Sequence, residues 1–299
     1  MGTVVDRLVV RESGWRHRHS ALHLAVAAAK ACLHRAGRAP SDVDLLINAG
    51  IYRDRNIGEP ALAALIQQDI GANPEDPHDN AHGTFSFDIA NGTCGVLTAL
   101  QIADGFLRSH AIERALIVAG DADPGRRMSE HFPFAPVGAA LLCHWSDDGY
   151  GLGHVQWENL PDEGASFSAT VGLEDTRNML RFAESGSADA QFAAAGARVA
   201  RACLDEASLA LSDVDVIAAA PARRGYREAL AAHLGIPVER IAVAADEKAH
   251  TASLVAALER AVSQAPLDAR VLIVAAGAGI TAGAALYRKP PGTKSLRRA

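Results

Sequence analysis

Residues 85–107, FSFDIANGTCGVLTALQIADGFL, carry a strand, a tight turn and a helix in one run. Phe85, Phe87 and Ile89 alternate with Ser86, Asp88 and Ala90, the period-two pattern of a strand. Asn91-Gly92 is a turn pair. Beyond it, Val96, Leu97, Leu100, Ile102, Ala103, Phe106 and Leu107 leave little polar surface on any side, so this helix is expected inside the protein. Thr93 and Cys94 stand between strand and helix. A thiol at a helix N-terminus is favoured as thiolate, and a sharp strand–turn–helix presenting one nucleophile is a recurring catalytic device. Cys94 reads equally well as a buried thiol packing the turn.

The flanking sequence is duplicated. Residues 20–37 have helical spacing, with Ser20 as N-cap and Gly37 as stop. Pro40-Ser41-Asp42 then turns the chain into a strand, Val43–Ala49. After a charged loop, Tyr52–Glu59, a helix is predicted from Pro60 to about Gly71. Arg114–Gly120 and Ala139–Trp145 read as further strands, and Ser146 to about Asp189 as a loop-rich stretch. From Ala194, AAGARVARACLDEASLALSDVDVIAAAP then echoes VAAAKACLHRAGRAPSDVDLLINAG. Ala31-Cys32-Leu33 meets Ala202-Cys203-Leu204, and Ser41-Asp42-Val43-Asp44 meets Ser212-Asp213-Val214-Asp215. About half of some twenty positions agree, which marks an internal repeat. RALIVA at Arg114 returns as RVLIVA at Arg270. Each half reads as helix, strand, helix, strand, implying α/β architecture with mostly parallel sheets covered on both faces. The halves divide near residue 150, as 1–150 and 151–299. Cys32 and Cys203, at equivalent helical positions, read as core.

Composition sets the outer limits. The chain has 299 residues, 49% hydrophobic and 21% charged, with net charge −6, an ordinary globular balance whose acidity argues against bulk nucleic-acid binding. Its apolar runs fall well below the roughly 20 residues of a membrane helix. The N-terminus lacks the apolar core of a secretory signal, and four scattered cysteines suggest reduced thiols in a cytoplasm. No metal site is expected: His78, Asp79 and His82 sit in a polar loop without helical or paired-cysteine framing. Gly277-Ala278-Gly279 with Gly283 is no dinucleotide fingerprint, because no long helix follows it. His17 and His19, between Arg16 and Arg18, read as a solvated basic face.

An internally duplicated α/β chain with a nucleophile-bearing turn before a buried central helix resembles the thiolase superfamily, and within it the β-ketoacyl-acyl-carrier-protein synthase III group. The resemblance is carried by DIANGTCGVLTALQIAD (Asp88–Asp104), by VIAAAPARRGYREAL and ADEKAHTAS between Val216 and Ser253, and by AAGAGITAGAALY (Ala275–Tyr287). It implies a five-layered α-β-α-β-α fold from two duplicated halves and a homodimer, or a heterodimer with another ketosynthase-like subunit. It also implies acyl transfer from coenzyme A or an acyl-carrier protein in polyketide or fatty acid biosynthesis. No bound cofactor is implied; the coenzyme A or phosphopantetheine thioester is the substrate carrier.

Enzymes of this group use a Cys–His–Asn set, and this sequence departs from it at all three positions. The resemblance places Thr93 where the Cys belongs, with Cys94 one residue late, a step of about 100° on a helix. Ala222 follows Pro221 where the His belongs, and His250 stands at the Asn. The glycine-rich loop implies an oxyanion-hole N–H at Gly279. Arg223 and Arg224 lie near where the group meets the carrier's phosphates, and Glu59, before Pro60, where a residue reaches into the neighbour's acyl tunnel. Two readings follow. In one, a remodelled site built on Cys94 and His250, or on Thr93, performs acyl transfer; in the other, the subunit is silent and supports an active partner.

Overall fold

A computed structural model describes residues 2–12, 20–73, 83–162 and 164–291. The first half runs β1 (Gly2–Glu12), α1 (Ala21–Ala36), β2 (Leu45–Asn48), α2 (Leu62–Ile70), β3 (Phe85–Asp88), α3 (Gly95–Arg108), β4 (Arg114–Asp121) and β5 (Val137–Ser146). The second runs β6 (Gly151–Asn159), β7 (Phe167–Glu174), β8 (Arg177–Glu184), α4 (Ala188–Glu206), β9 (Val216–Ala220), α5 (Arg224–Leu234), β10 (Ile241–Ala242), α6 (Ser253–Gln264), β11 (Arg270–Gly277) and β12 (Thr281–Arg288).

Ten strands follow the order β10-β9-β11-β12-β6-β1-β5-β4-β2-β3, while β7 and β8 pair apart as a hairpin. The order is palindromic by role: β3-β2-β4-β5-β1 in one half matches β10-β9-β11-β12-β6 in the other. The halves join where Thr3 on β1 meets Leu152 on β6. Three packed clusters separate the layers. One gathers α1 and α2 against the outer face of the first half, a second gathers α4 and α5 against the second half, and the largest places α3 and α6 between the sheets. This is the five-layered arrangement.

The repeat extends to hydrogen bonds. Asp42 accepts from the N–H of Ala39 at 3.0 Å, and Asp213 from Ala210 at 2.8 Å. Asp44 accepts from the N–H of Arg114 at 2.9 Å, and Asp215 from Arg270 at 2.8 Å. Each aspartate satisfies otherwise orphaned backbone donors, the physical reason SDVD stands in both halves. Ser20 caps α1 by accepting from His23, and Gly37 closes it in the left-handed conformation. Cys32 and Cys203 are buried.

Two expectations are corrected. The sheets are mixed: β3, β2 and β4 are parallel, as are β10, β9 and β11, but β4–β5–β1 and β11–β12–β6 are antiparallel. No α-helix intervenes between β4 and β5, or between β11 and β12, so those strands return antiparallel. Residues 146–189 are also not loop-rich, because they form β6 and the β7–β8 hairpin. On β7 the exposed run 169–173 includes Val171 and Leu173, so apolar and polar residues do not alternate by face as in a half-buried strand.

Candidate active site

The site forms where the second turn of each repeat unit meets across the middle layer. Asn91 and Gly92 break β3 from α3; Gly92 takes φ +47°, a conformation that favours glycine. Residues Gly92–Cys94 make a single 3-10 turn into α3. Across from it runs the segment before α6, Ala249-His250-Thr251. A cavity of about 40 Å³ lies between them, walled by Thr93, His250, Phe134, Phe167, Arg223 and Gly277 among others.

Thr93 and Cys94 face different surroundings. Thr93 borders the cavity, and its hydroxyl donates to the carbonyl of Ala276 at 2.5 Å. A Cβ on Gly277 would stand 2.6 Å from that hydroxyl oxygen, so the residue beside Thr93 has to be glycine. The Cys94 Sγ turns into the core, fully buried, and donates to the carbonyl of Thr281 at 3.5 Å. Burial pushes its thiol up to about 12. Of the two readings open for Cys94, the structure shows the buried thiol packing the turn and not the favoured thiolate, because desolvation outweighs the helix terminus.

His250 is fixed from several sides. Its backbone N–H donates to the Asp121 carboxylate at 3.0 Å, and the N–H and hydroxyl of Thr251 and the N–H of Ala252 donate to the same group. Asp121 ends β4 and is wholly buried; desolvation lifts its pKa to about 6 against the pull of these donors. The imidazole stacks on Phe134 with centroids 4.1 Å apart, and Nδ1 lies 3.1 Å from the Tyr52 hydroxyl. Phe132, Phe167 and Phe182 complete an aromatic surround. Burial, and then the charge of Arg223, lower the imidazole pKa to about 3, so the ring is neutral at physiological pH.

The other expected residues are less gathered. Arg223 borders the cavity but is paired with Glu184 at the end of β8 and with Asp189 on α4, the latter at 2.6 Å. Arg224 is exposed and pairs with Glu228 at 2.7 Å. Glu59 is exposed before Pro60. Gly279, at φ +68°, is exposed at the tip of the β11–β12 turn, while Gly277 and Ala278 line the cavity. Ala222 is buried beside Pro221. His17, His19, His78, Asp79 and His82 lie outside the described residues, among which no cluster suited to a metal occurs.

Sequence reading missed Asp121, Tyr52 and the aromatic side chains from the 122–136 loop and the hairpin. A carboxylate closing the buried run RALIVAGD was a usable signal, since a buried acid requires several donors. Tyr52, inside a charged loop, gave none.

A sequence profile described as "3-Oxoacyl-[acyl-carrier-protein (ACP)] synthase III C terminal" matches residues 204–289. The β-ketoacyl-[acyl-carrier-protein] synthase III of Rhizorhabdus wittichii is 27% identical, the match spanning 95% of this chain and 90% of that protein. Its counterpart in Paramagnetospirillum magneticum is 29% identical over the same shares. The crystal structure of 3-oxoacyl-(acyl carrier protein) synthase III from Pseudomonas aeruginosa PAO1 superposes with TM-score 0.78 at 20% identity, covering 97% of this chain and 99% of that one. The chain resembles the ketosynthase III group in sequence over nearly its whole length and shares its fold. The priming β-ketosynthase of the R1128 polyketide pathway shares the fold as well, with TM-score 0.76 at 21% identity, covering 97% of each chain. Within this ketosynthase III-like frame, no helix among the described residues is long and apolar enough to cross a membrane.

Proposed function

We propose that this protein is an acyltransferase of secondary metabolism that receives an acyl group from a coenzyme A or acyl-carrier-protein thioester. It is read as a cytoplasmic homodimer, or as a heterodimer with another ketosynthase-like subunit. The observation that carries the reading is the juxtaposition of Thr93 and His250 on one cavity. In this reading His250 polarises the thioester carbonyl and Thr93 Oγ attacks its carbon. The C–S bond breaks, and the departing sulfur leaves as free thiol with the hydroxyl proton. The Thr93 ester is then handed to an acceptor. With Ala222 in place of the imidazole that resemblance would put there, one stabiliser of a malonyl-derived enolate is missing, so decarboxylative condensation is not the proposed reaction. The small cavity, together with the Glu59 carboxylate at the tunnel position, favours a short or polar acyl group.

Intact-mass measurement after incubation with acetyl- and malonyl-CoA tests this. An added acyl mass that survives Cys94→Ala and disappears in Thr93→Ala is expected. Thiol release without an adduct would keep the acyltransferase but remove Thr93 as its nucleophile. Neither adduct nor thiol release across a panel of acyl thioesters would leave the subunit silent.

A further inference from the structure

The Tyr52 hydroxyl is the key to which proton His250 presents. Tyr52 is 2% exposed and sits among Phe132, Phe134 and Phe182. Among the described residues, its only hydrogen-bond partner is Nδ1 of His250, at 3.1 Å. If Nδ1 carried the imidazole proton, it would donate to the tyrosine oxygen and strand the phenolic O–H in an apolar surround. A buried donor without an acceptor is the costlier arrangement. A phenol always has a proton to give below its pKa, and burial keeps that pKa well above the usual tyrosine value. The pairing is satisfied on both sides only when O–H donates to Nδ1.

We infer that Tyr52 is a positioning residue that holds neutral His250 as its Nε2–H tautomer, making the imidazole a hydrogen-bond donor to the substrate carbonyl and not a base. The ring's opposite edge carries that proton to the reacting side: a Cβ on Gly92, at the start of the Thr93 turn, would lie 3.9 Å from Nε2 and 3.7 Å from Cε1. Asp121 fixes the backbone beneath, and Phe134 stacks on the ring face. An N–H donor at this place does what the amide of the group's Asn would do there. A donor can stabilise an oxyanion developing on the thioester carbonyl, but it cannot take the proton of Thr93. The inference deepens the acyltransferase reading for this same site, yet the tautomer itself does not depend on turnover.

The test is ¹⁵N NMR of the histidine-labelled protein at neutral pH, with the His250 signals assigned by their loss in His250→Asn. A protonated-type shift for Nε2 and an unprotonated-type shift for Nδ1 are expected. The reverse pattern, or two protonated nitrogens, would overturn the inference. Tyr52→Phe should redistribute the two tautomers, and an unchanged pattern would remove Tyr52 from the role. Should that variant fold poorly, incorporation of 3-fluorotyrosine, a stronger donor, must still displace the Nδ1 shift; no displacement has the same negative meaning. In thiol-release assays, His250→Ala should lose about 10²–10³ in kcat. His250→Asn, which keeps an N–H donor but no base, should stay within roughly tenfold of wild type, since removal of one such donor is the unit of loss. Loss in both variants alike would make His250 a base. If no variant and no wild-type protein turns over any thioester while the tautomer is as stated, the acyltransferase reading fails and this inference stands.

Discussion

Thr93 and Cys94 are neighbours in one 3-10 turn, yet the first borders the cavity and the second donates its thiol to the Thr281 carbonyl inside the core. That divergence decides which of the two residues borders the cavity. It also overrides the general preference for a thiolate at a helix N-terminus, because Cys94 is desolvated on every side.

Thiol reactivity follows directly. All four cysteines are buried, and burial raises the Cys94 and Cys32 thiols to about 12 and that of Cys203 to about 11. Brief iodoacetamide treatment of the native protein should leave all four unlabelled, with labelling appearing on unfolding. Rapid selective labelling of Cys94 in the folded state would contradict the orientation described.

Much of the fold was legible because the chain states it twice. The SDVD segments at Ser41 and Ser212 fix equivalent loop–strand junctions, and RALIVA with RVLIVA fixes equivalent central strands. The hairpin β7–β8 has no counterpart in the first half, so nothing in the repeat announced it. At the site, Thr93 and His250 were visible as occupants of aligned positions. The direction of Cys94 was not, since one residue of helical rotation separates cavity from core. Tyr52 and Phe134 reach His250 only through the tertiary fold.

Asp121 should be costly to alter. Its two oxygens accept from three backbone N–H groups and one hydroxyl at the entry to α6. Asp121→Asn replaces one acceptor oxygen by an NH₂ that faces donors. A loss of about 3 kcal/mol in urea-unfolding free energy is expected, as for a buried donor cluster left unsatisfied. A change below about 0.5 kcal/mol, the range of an ordinary surface substitution, would show that the carboxylate does not organise this segment.

Gly277→Ala tests the closeness of the turn and the glycine-rich loop. The new methyl would meet the Thr93 oxygen at 2.6 Å. Displacing Thr93 from the Ala276 carbonyl should abolish the acyl adduct and destabilise the fold by about 1–3 kcal/mol, the usual cost of overpacking. A variant that is fully active and as stable as wild type would place the loop farther from Thr93 than described.

Stability should carry a pH signature from His250. Its folded-state pKa is about 3, against 6.5 for an unperturbed imidazole, chiefly through burial and then through Arg223. Between these values the unfolded chain binds more protons, so stability from this residue falls as pH drops below 6.5. The titratable and charged groups around the ring are Tyr52, Asp121, Glu184, Arg223 and Glu247. Asp121, raised to about 6 by burial, acts oppositely, gaining stability as pH falls through that value. Comparison with His250→Asn removes its contribution. The difference in stability should turn against wild type below pH 6.5, by at most about 1.4 kcal/mol per pH unit. A pH-independent difference would mean the imidazole is solvated.

The most direct measurement for the site as a whole is the rate of thiol release from a short acyl-CoA by wild type, Cys94→Ala, Thr93→Ala and His250→Ala, each checked for native folding. Activity retained in Cys94→Ala and lost in Thr93→Ala and His250→Ala is the expected result. Activity lost in Cys94→Ala and retained in Thr93→Ala would contradict the assignment of the acyl acceptor to the cavity-facing residue of the turn.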